Sequence, residues 1–460
     1  MSRVNSIPTP DAVAALADAA ARAARYLETL PERAVAPSAA SAALLARLGG
    51  PLPEQPTDPL EVVRLLDECA APATVASAGP RYFGFVTGGT LPAALGAAVL
   101  AAAWDQNAAF EVMSPAAAAL EENAGRWVLE LLGLPPQSAV GFTTGATMAN
   151  LAALAAARHA VLARAGWNAE EDGMGGAPPV SVIVGDEVHV SVLKALSLLG
   201  FGRSRLQRVP VDGQGRMRVD AFPALAGPAI VCLQAGNVNT GSFDPLRALC
   251  ERAHAAGAWV HVDSAFGLWA RASPAHAPLA DAADLADSWA TDAHKWLNTP
   301  YDSGLAIVRE PQALRAAMAA SAAYLASGDL RDGCAFVPEL SRRARGVEVW
   351  AALRSLGRRG VADLVERCSR LARRFADGAR AAGFEVLNDV VLNQALVSFG
   401  SAERTQRVIE AVQREGTCWC GGTVWQGRTA LRFSVSSWAS TEADIDRSLQ
   451  AITRIANDIG

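Results

Sequence analysis

Between about Pro80 and Val308, short runs of β-branched residues alternate with segments whose apolar positions recur at helical spacing. Residues 180–184, 229–233, 259–262 and 305–308 are short, largely β-branched runs that read as buried strands. Residues 192–199 and 246–256, lying between such runs, read as helices. Strands alternating with helices predict a mostly parallel sheet with helices on both faces. Upstream, residues 11–48 are rich in Ala and Leu at helical spacing, broken by Pro31 and Pro37, and residues 49–56 read as a linker. An arm of this kind does not make a domain alone, so its apolar stripe is expected to pack on the body or on a second subunit. After about Pro311 the texture changes to a long basic helical stretch (341–382), short strands at 384–387, 395–399 and 430–435, and a final helix over 443–459. The expected organisation is a helical arm over 1–79, a large α/β domain over 80–312 and a small α+β domain over 313–460.

Charge and composition narrow the classes of function. A formal net charge of −5 over 460 residues leaves no electrostatic footprint for nucleic acid or an anionic membrane, so a small-molecule substrate is the default. The most apolar region, 91–110, is interrupted by Trp104-Asp105-Gln106-Asn107 and is expected to be a buried helix rather than a membrane span. Met1 to Pro10 lacks a basic segment followed by an apolar core, so no signal peptide is expected. The seven cysteines are odd in number and form no CxxC, which argues against a disulfide framework or a zinc site and fits a reducing cytoplasm. Cys418-Trp419-Cys420 reads as alternate sides of a strand.

The candidate chemistry lies where such sheets bind ligands, at the C-terminal ends of strands. Lys295 follows a strand-like run in Thr291-Asp292-Ala293-His294-Lys295-Trp296-Leu297, and Asp263 ends the run from Ala258. A lysine amine can form a Schiff base with an aldehyde, and a strand-borne carboxylate can pair with a pyridinium nitrogen, the two groups that pyridoxal 5′-phosphate (PLP) requires. Each also has a plainer reading, a lysine snorkelling to water or an aspartate capping a turn. Gly145-Ala146-Thr147 forms a strand-to-helix turn whose N–H groups suit a phosphate or mark an ordinary helix start. His189, just after a strand, is either a satisfied core histidine or a residue stacked on a cofactor ring.

Together and in this order, these segments resemble the group II PLP-dependent decarboxylases, the family of aromatic-L-amino-acid, glutamate and related decarboxylases. The resemblance runs from about Pro80 to Ile452, and the His-Lys-Trp block is its most specific part. It implies an α/β protein of PLP fold type I (aspartate aminotransferase-like), a homodimer with active sites at the subunit interface, and decarboxylation of an L-amino acid. It further implies Lys295 as the Schiff-base lysine, Asp263 as the partner of the pyridine nitrogen, His189 as the ring-stacking residue and Ala265 as the residue beneath the ring's other face. Gly145, Ala146 and Thr147 match the phosphate turn, and His294 precedes the lysine as in relatives. Tyr324 falls at the position of a loop tyrosine that favours decarboxylation over aldehyde synthesis; Tyr324 or His189 would reprotonate Cα. Arg432 matches an arginine that in some members pairs with a substrate carboxylate, a structural ion pair being the other reading.

Several positions depart from that pattern: the turn reads Gly-Ala-Thr-Met-Ala-Asn, Asn237 stands where Thr or Ser is common, and Asp292 stands where Asn is usual. The segment Tyr82 to Gly89 is shorter than its counterpart in aromatic decarboxylases. A second carboxylate near a dianionic phosphate is unfavourable unless it is turned away or hydrogen-bonded. Trp269, Trp296, Trp419 and Trp425 could line an apolar pocket, though each fits core packing better. The expected substrate is an aromatic or other apolar L-amino acid. Aldehyde synthesis, aldolase-type cleavage, transamination and an inactive PLP-binding homologue remain the alternatives.

Overall fold

The computed structural model describes residues 12–319 and 331–460. Seven strands form one sheet: β1 (Ala139–Thr143), β2 (Ser181–Gly185), β3 (Gln207–Val209), β4 (Ala229–Gln234), β5 (Trp259–Asp263), β6 (Ser288–Asp292) and β7 (Gly304–Val308). Their order is β1-β7-β6-β5-β4-β2-β3, and every neighbouring pair from β3 through β6 is parallel. Strand β7 is antiparallel to both β6 and β1. All residues of β1, β5, β6 and β7 are buried, as the continuous apolar run of β7 requires. The parallel register sets Asp263 beside Gln234 and Ala290, so the C-terminal ends of β2, β5 and β6 open on one edge of the sheet.

The helix Ala146–Arg164 covers the sheet at β6 and β7, and its alanines let helix and strands approach closely. It is long and apolar enough by composition to cross a membrane, but two-thirds of it is buried inside the protein.

A second sheet, ordered β10-β11-β9-β8, is antiparallel throughout and comprises β8 (Glu385–Val386), β9 (Gln394–Ser398), β10 (Gly421–Trp425) and β11 (Arg428–Ser434). The hairpin β10–β11 turns on Gln426 and Gly427, both with positive φ, the geometry that matches strand twist in two-residue loops. The helix Gly346–Ala381 kinks at Gly357 and packs on this sheet, and Phe433 lies stacked between Phe83 and Phe375 with centroids 4.0 and 3.6 Å away. The final helix, Glu442–Asp458, begins with a capping box between Thr441 and Asp444.

One expectation fails. The helix Pro92–Trp104 is apolar all round, yet only Ala94 and Ala101 are buried, and Val99, Leu100 and Trp104 are 45, 52 and 46% exposed. Apolar composition says that such a helix must be covered; among the described residues the cover is missing. The arm helices Ala12–Thr29 and Pro59–Ala70 add exposed Val13, Leu16, Val62 and Leu66.

Candidate active site

Asp263 is the last residue of β5 and is 4% exposed, yet neither carboxylate oxygen has a hydrogen-bond partner among the described residues. The backbone N–H of Ala265 exerts a pull on it without reaching hydrogen-bond geometry. Burial drives this acid well above the usual carboxylate range, while His189 and Lys295 pull it back. A buried carboxylate without a donor is costly, so the position calls for a group carrying an N–H. Ala265 is fixed to β6 by its carbonyl, which accepts from the Asp292 backbone N–H at 2.8 Å.

Lys295 follows β6 and is partly open, its ammonium 2.9 Å from Asp292 Oδ2. The chain reaches it through a crowded passage. A Cβ on Gly88 would meet the Lys295 carbonyl oxygen at 1.9 Å, so the segment Tyr82 to Gly89 can run against the lysine only because that residue is glycine. Likewise a Cβ on Gly304 would stand 2.4 Å from the Gly145 Cα, so β7 approaches the phosphate-type turn backbone to backbone.

His189 is the N-cap of the helix Val190–Leu198, its Nδ1 accepting from the Ser191 backbone N–H at 3.2 Å and meeting the Ser191 hydroxyl at 2.7 Å. Burial lowers its pKa, opposed by Asp263 and reinforced by Lys295 and Arg432, so the ring is neutral at pH 7. Behind it runs a buried polar chain that composition did not flag. The Asn150 amide donates to Ser191 Oγ at 3.2 Å, His261 Nε2 meets Asn150 Oδ1 at 2.8 Å, and His261 Nδ1 meets Ser288 Oγ at 2.9 Å. Its signal was present as polar residues at core positions, Asn150 within an alanine-rich helix and His261 within β5.

The turn Gly145-Ala146-Thr147 starts the helix Ala146–Arg164, and Gly145 supplies no capping side chain. The Ala146 N–H donates to Asp292 Oδ1 at 2.5 Å. His294 accepts the Ser303 N–H at Nδ1 (3.1 Å), places Nε2 3.5 Å from Asp292 Oδ1, and stacks on Tyr301 with centroids 4.4 Å apart. Asn237 is a turn former: its Oδ1 accepts from the backbone N–H groups of Asn239 and Thr240.

Arg432 lies on β11 within electrostatic reach of His189. Its pKa is lowered by burial, its Nε is unpartnered, and no carboxylate among the described residues pairs with it. The structural ion-pair reading thus finds no partner among the described residues. Trp269, Trp296 and Trp425 are core residues, whereas Trp419 stacks on Tyr82 (5.1 Å) and on Phe85 (5.4 Å), the latter 60% exposed. Tyr324 lies outside the described residues.

A mostly parallel seven-stranded sheet with a small antiparallel sheet beside it, and a lysine and an aspartate at neighbouring strand ends, define a PLP enzyme of fold type I. The chain belongs to the pyridoxal-dependent decarboxylases, whose conserved-domain model matches residues 45–401. It is 28% identical over 424 residues to tryptophan decarboxylase 1 of Oryza sativa subsp. japonica, spanning 83% of this chain and 81% of that protein. Phenylacetaldehyde synthase of Arabidopsis thaliana is 26% identical over 381 residues, 75% of each chain. The crystal structure of Oryza sativa TDC with PLP and tryptamine matches with a TM-score of 0.90 at 23% identity, covering 100% of this chain and 99% of that one. The protein is thus a PLP-dependent amino acid decarboxylase.

The residues present fit that cofactor. The unpartnered Asp263 carboxylate matches a pyridinium N–H, Lys295 offers an amine, and the Ala146 N–H, here donating to the Asp292 carboxylate, shows that the turn receives an anion.

Proposed function

We propose that the substrate is an L-amino acid with an aromatic or other apolar side chain, converted to the corresponding amine and CO₂. The observation that carries this reading is the stacking of Trp419 on Tyr82 and on exposed Phe85, both on the segment that abuts Lys295. Flat apolar side chains gain most from such a surface. Burial raises the Tyr82 hydroxyl to about 12, so this wall carries no charge at neutral pH.

Bound PLP supplies an electron sink for the pair released when the bond from Cα to the carboxylate breaks. Lys295 holds the cofactor, and Asp263 holds a negative charge where the ring nitrogen needs a proton. Arg432 has an unspent guanidinium fork, which fits the substrate carboxylate and orients it. Tight binding of a carboxylate that is about to leave stabilises the ground state as well, so this contact serves positioning more than rate. His189 would return a proton from Nε2 to Cα only as its Nδ1 takes one up, the Ser191 hydroxyl at 2.7 Å being the adjacent proton carrier, with Tyr324 as the second candidate donor.

The active unit is a homodimer with its sites at the interface. The uncovered faces of Pro92–Trp104, Ala12–Thr29 and Pro59–Ala70 support it, because apolar surface of this extent is normally covered by a partner. The protein resides in the cytoplasm, a reading supported by seven buried, unpaired cysteines.

The test is a screen of all common L-amino acids for CO₂ release, with light scattering on the same sample. Turnover of tryptophan, tyrosine or phenylalanine by a species of twice the chain mass is the expected result. Preference for aspartate or glutamate would overturn the substrate reading, and an active monomer the dimer.

A further inference from the structure

Asp292 ends β6, is 2% exposed, and carries three contacts, one from the start of a distant helix and two from the segment that directly follows it. Ala146 donates its N–H to Oδ1 at 2.5 Å, the Lys295 ammonium lies 2.9 Å from Oδ2, and His294 Nε2 lies 3.5 Å from Oδ1. The Ser303 N–H occupies His294 Nδ1, so the ring proton is on Nε2, the nitrogen 3.5 Å from the carboxylate. Ala146 opens a helix whose N-cap, Gly145, brings no side chain, and an uncapped helix start attracts negative charge. A cofactor phosphate would draw on the same N–H. Two anions thus claim one position, and at contact distance in a buried site they repel strongly.

We propose that Asp292 is an internal anion that fills the phosphate position of the cofactor-free protein. It caps the helix Ala146–Arg164 and neutralises Lys295 until a phosphate ester displaces it. His294 is the partner nearest the carboxylate once it gives up Ala146, its Nε2 lying 3.5 Å from Oδ1. The site therefore opens to its cofactor by exchanging one anion for another, and phosphate binding is weaker than it would be with a neutral amide at this position. This inference rests on the PLP reading and concerns the order of occupancy rather than turnover.

The experiment uses cofactor-free protein and two probes that lack an aldehyde and so form no Schiff base: pyridoxine 5′-phosphate and pyridoxine. Calorimetry should show Asp292→Asn binding pyridoxine 5′-phosphate at least about tenfold more tightly than wild type, as removal of one close like charge requires. Pyridoxine, which has no phosphate, should bind both proteins alike. Asp292→Ser serves as a second variant should the first misfold, with the same expected direction. Equal or weaker phosphate-ester binding by the variants would overturn the proposal. Failure of wild type and variants to bind either probe would overturn the cofactor reading together with it.

Discussion

The backbone N–H of Ser191 donates to Nδ1 of His189, which settles where that imidazole keeps its proton. A backbone N–H can only donate, so Nδ1 is the bare nitrogen and the proton sits on Nε2. Nitrogen NMR of histidine-labelled protein should show His189 protonated at Nε2 alone at pH 7. His189→Ala should lower kcat by about 10² to 10⁴, the usual range for a lost proton-transfer group. Ser191→Ala keeps the backbone donor and loses only the hydroxyl, so its loss should be about tenfold or less. Equal losses in the two variants would contradict this assignment.

Asp263 is a buried carboxylate with no hydrogen-bond partner of its own, and its charge is useful only when a cofactor N–H meets it. Asp263→Asn should raise the melting temperature of the cofactor-free protein by relieving an uncompensated buried group. The same variant should gain less melting temperature on PLP addition than wild type, because ligand binding to the native state is what stabilises it. Differential scanning calorimetry with and without PLP measures both effects.

Arg432 tests differently. Arg432→Ala should leave PLP content unchanged and raise KM for the amino acid by about ten- to a hundredfold, the value of one charge-assisted pair. Arg432→Lys should recover only part, since an ammonium cannot reproduce a bidentate fork. Loss of bound PLP in Arg432→Ala would assign the arginine to the cofactor instead.

His261, wholly buried between Asn150 and Ser288, has its pKa pushed down by burial from 6.5 to about 3. The unfolded chain takes up this proton below about pH 6.5 while the folded protein refuses it until about pH 3. Stability is therefore lost as pH falls through that window, by about 1.4 kcal/mol per pH unit for this residue. Denaturation of cofactor-free protein at pH 7 and pH 5 should show a drop that narrows by about 2 kcal/mol in His261→Gln. An unchanged drop would show that the ring is protonated in the fold.

How much was legible from sequence follows the type of residue. Strands β2, β4 and β7 stand out because Val, Ile and Leu follow one another in them, and β5 because Trp259, Val260 and Val262 make most of it apolar. Strands β1 and β6 are just as buried, but Gly141, Ser288, Thr291 and Asp292 interrupt any apolar run, and partner strands rather than composition hold them. Lys295, Asp263 and His189 could be placed at strand ends by motif order. The contact of Asp292 with Ala146 could not, since it depends on how β6 sits against a helix 146 positions earlier. The same holds for His261 and Asn150, which are 111 positions apart. The apolar segment 91–110 was readable as needing cover, but sequence does not say which chain provides it.

The chain is a PLP-dependent amino acid decarboxylase, and Lys295 is the residue proposed to hold PLP. The most direct measurement follows CO₂ and amine together, using the preferred substrate from the amino acid screen with wild type and Lys295→Ala. One CO₂ and one amine per substrate consumed, with neither from Lys295→Ala, is the predicted result. Aldehyde with ammonia and peroxide, a keto acid without CO₂, or full activity in Lys295→Ala would contradict it.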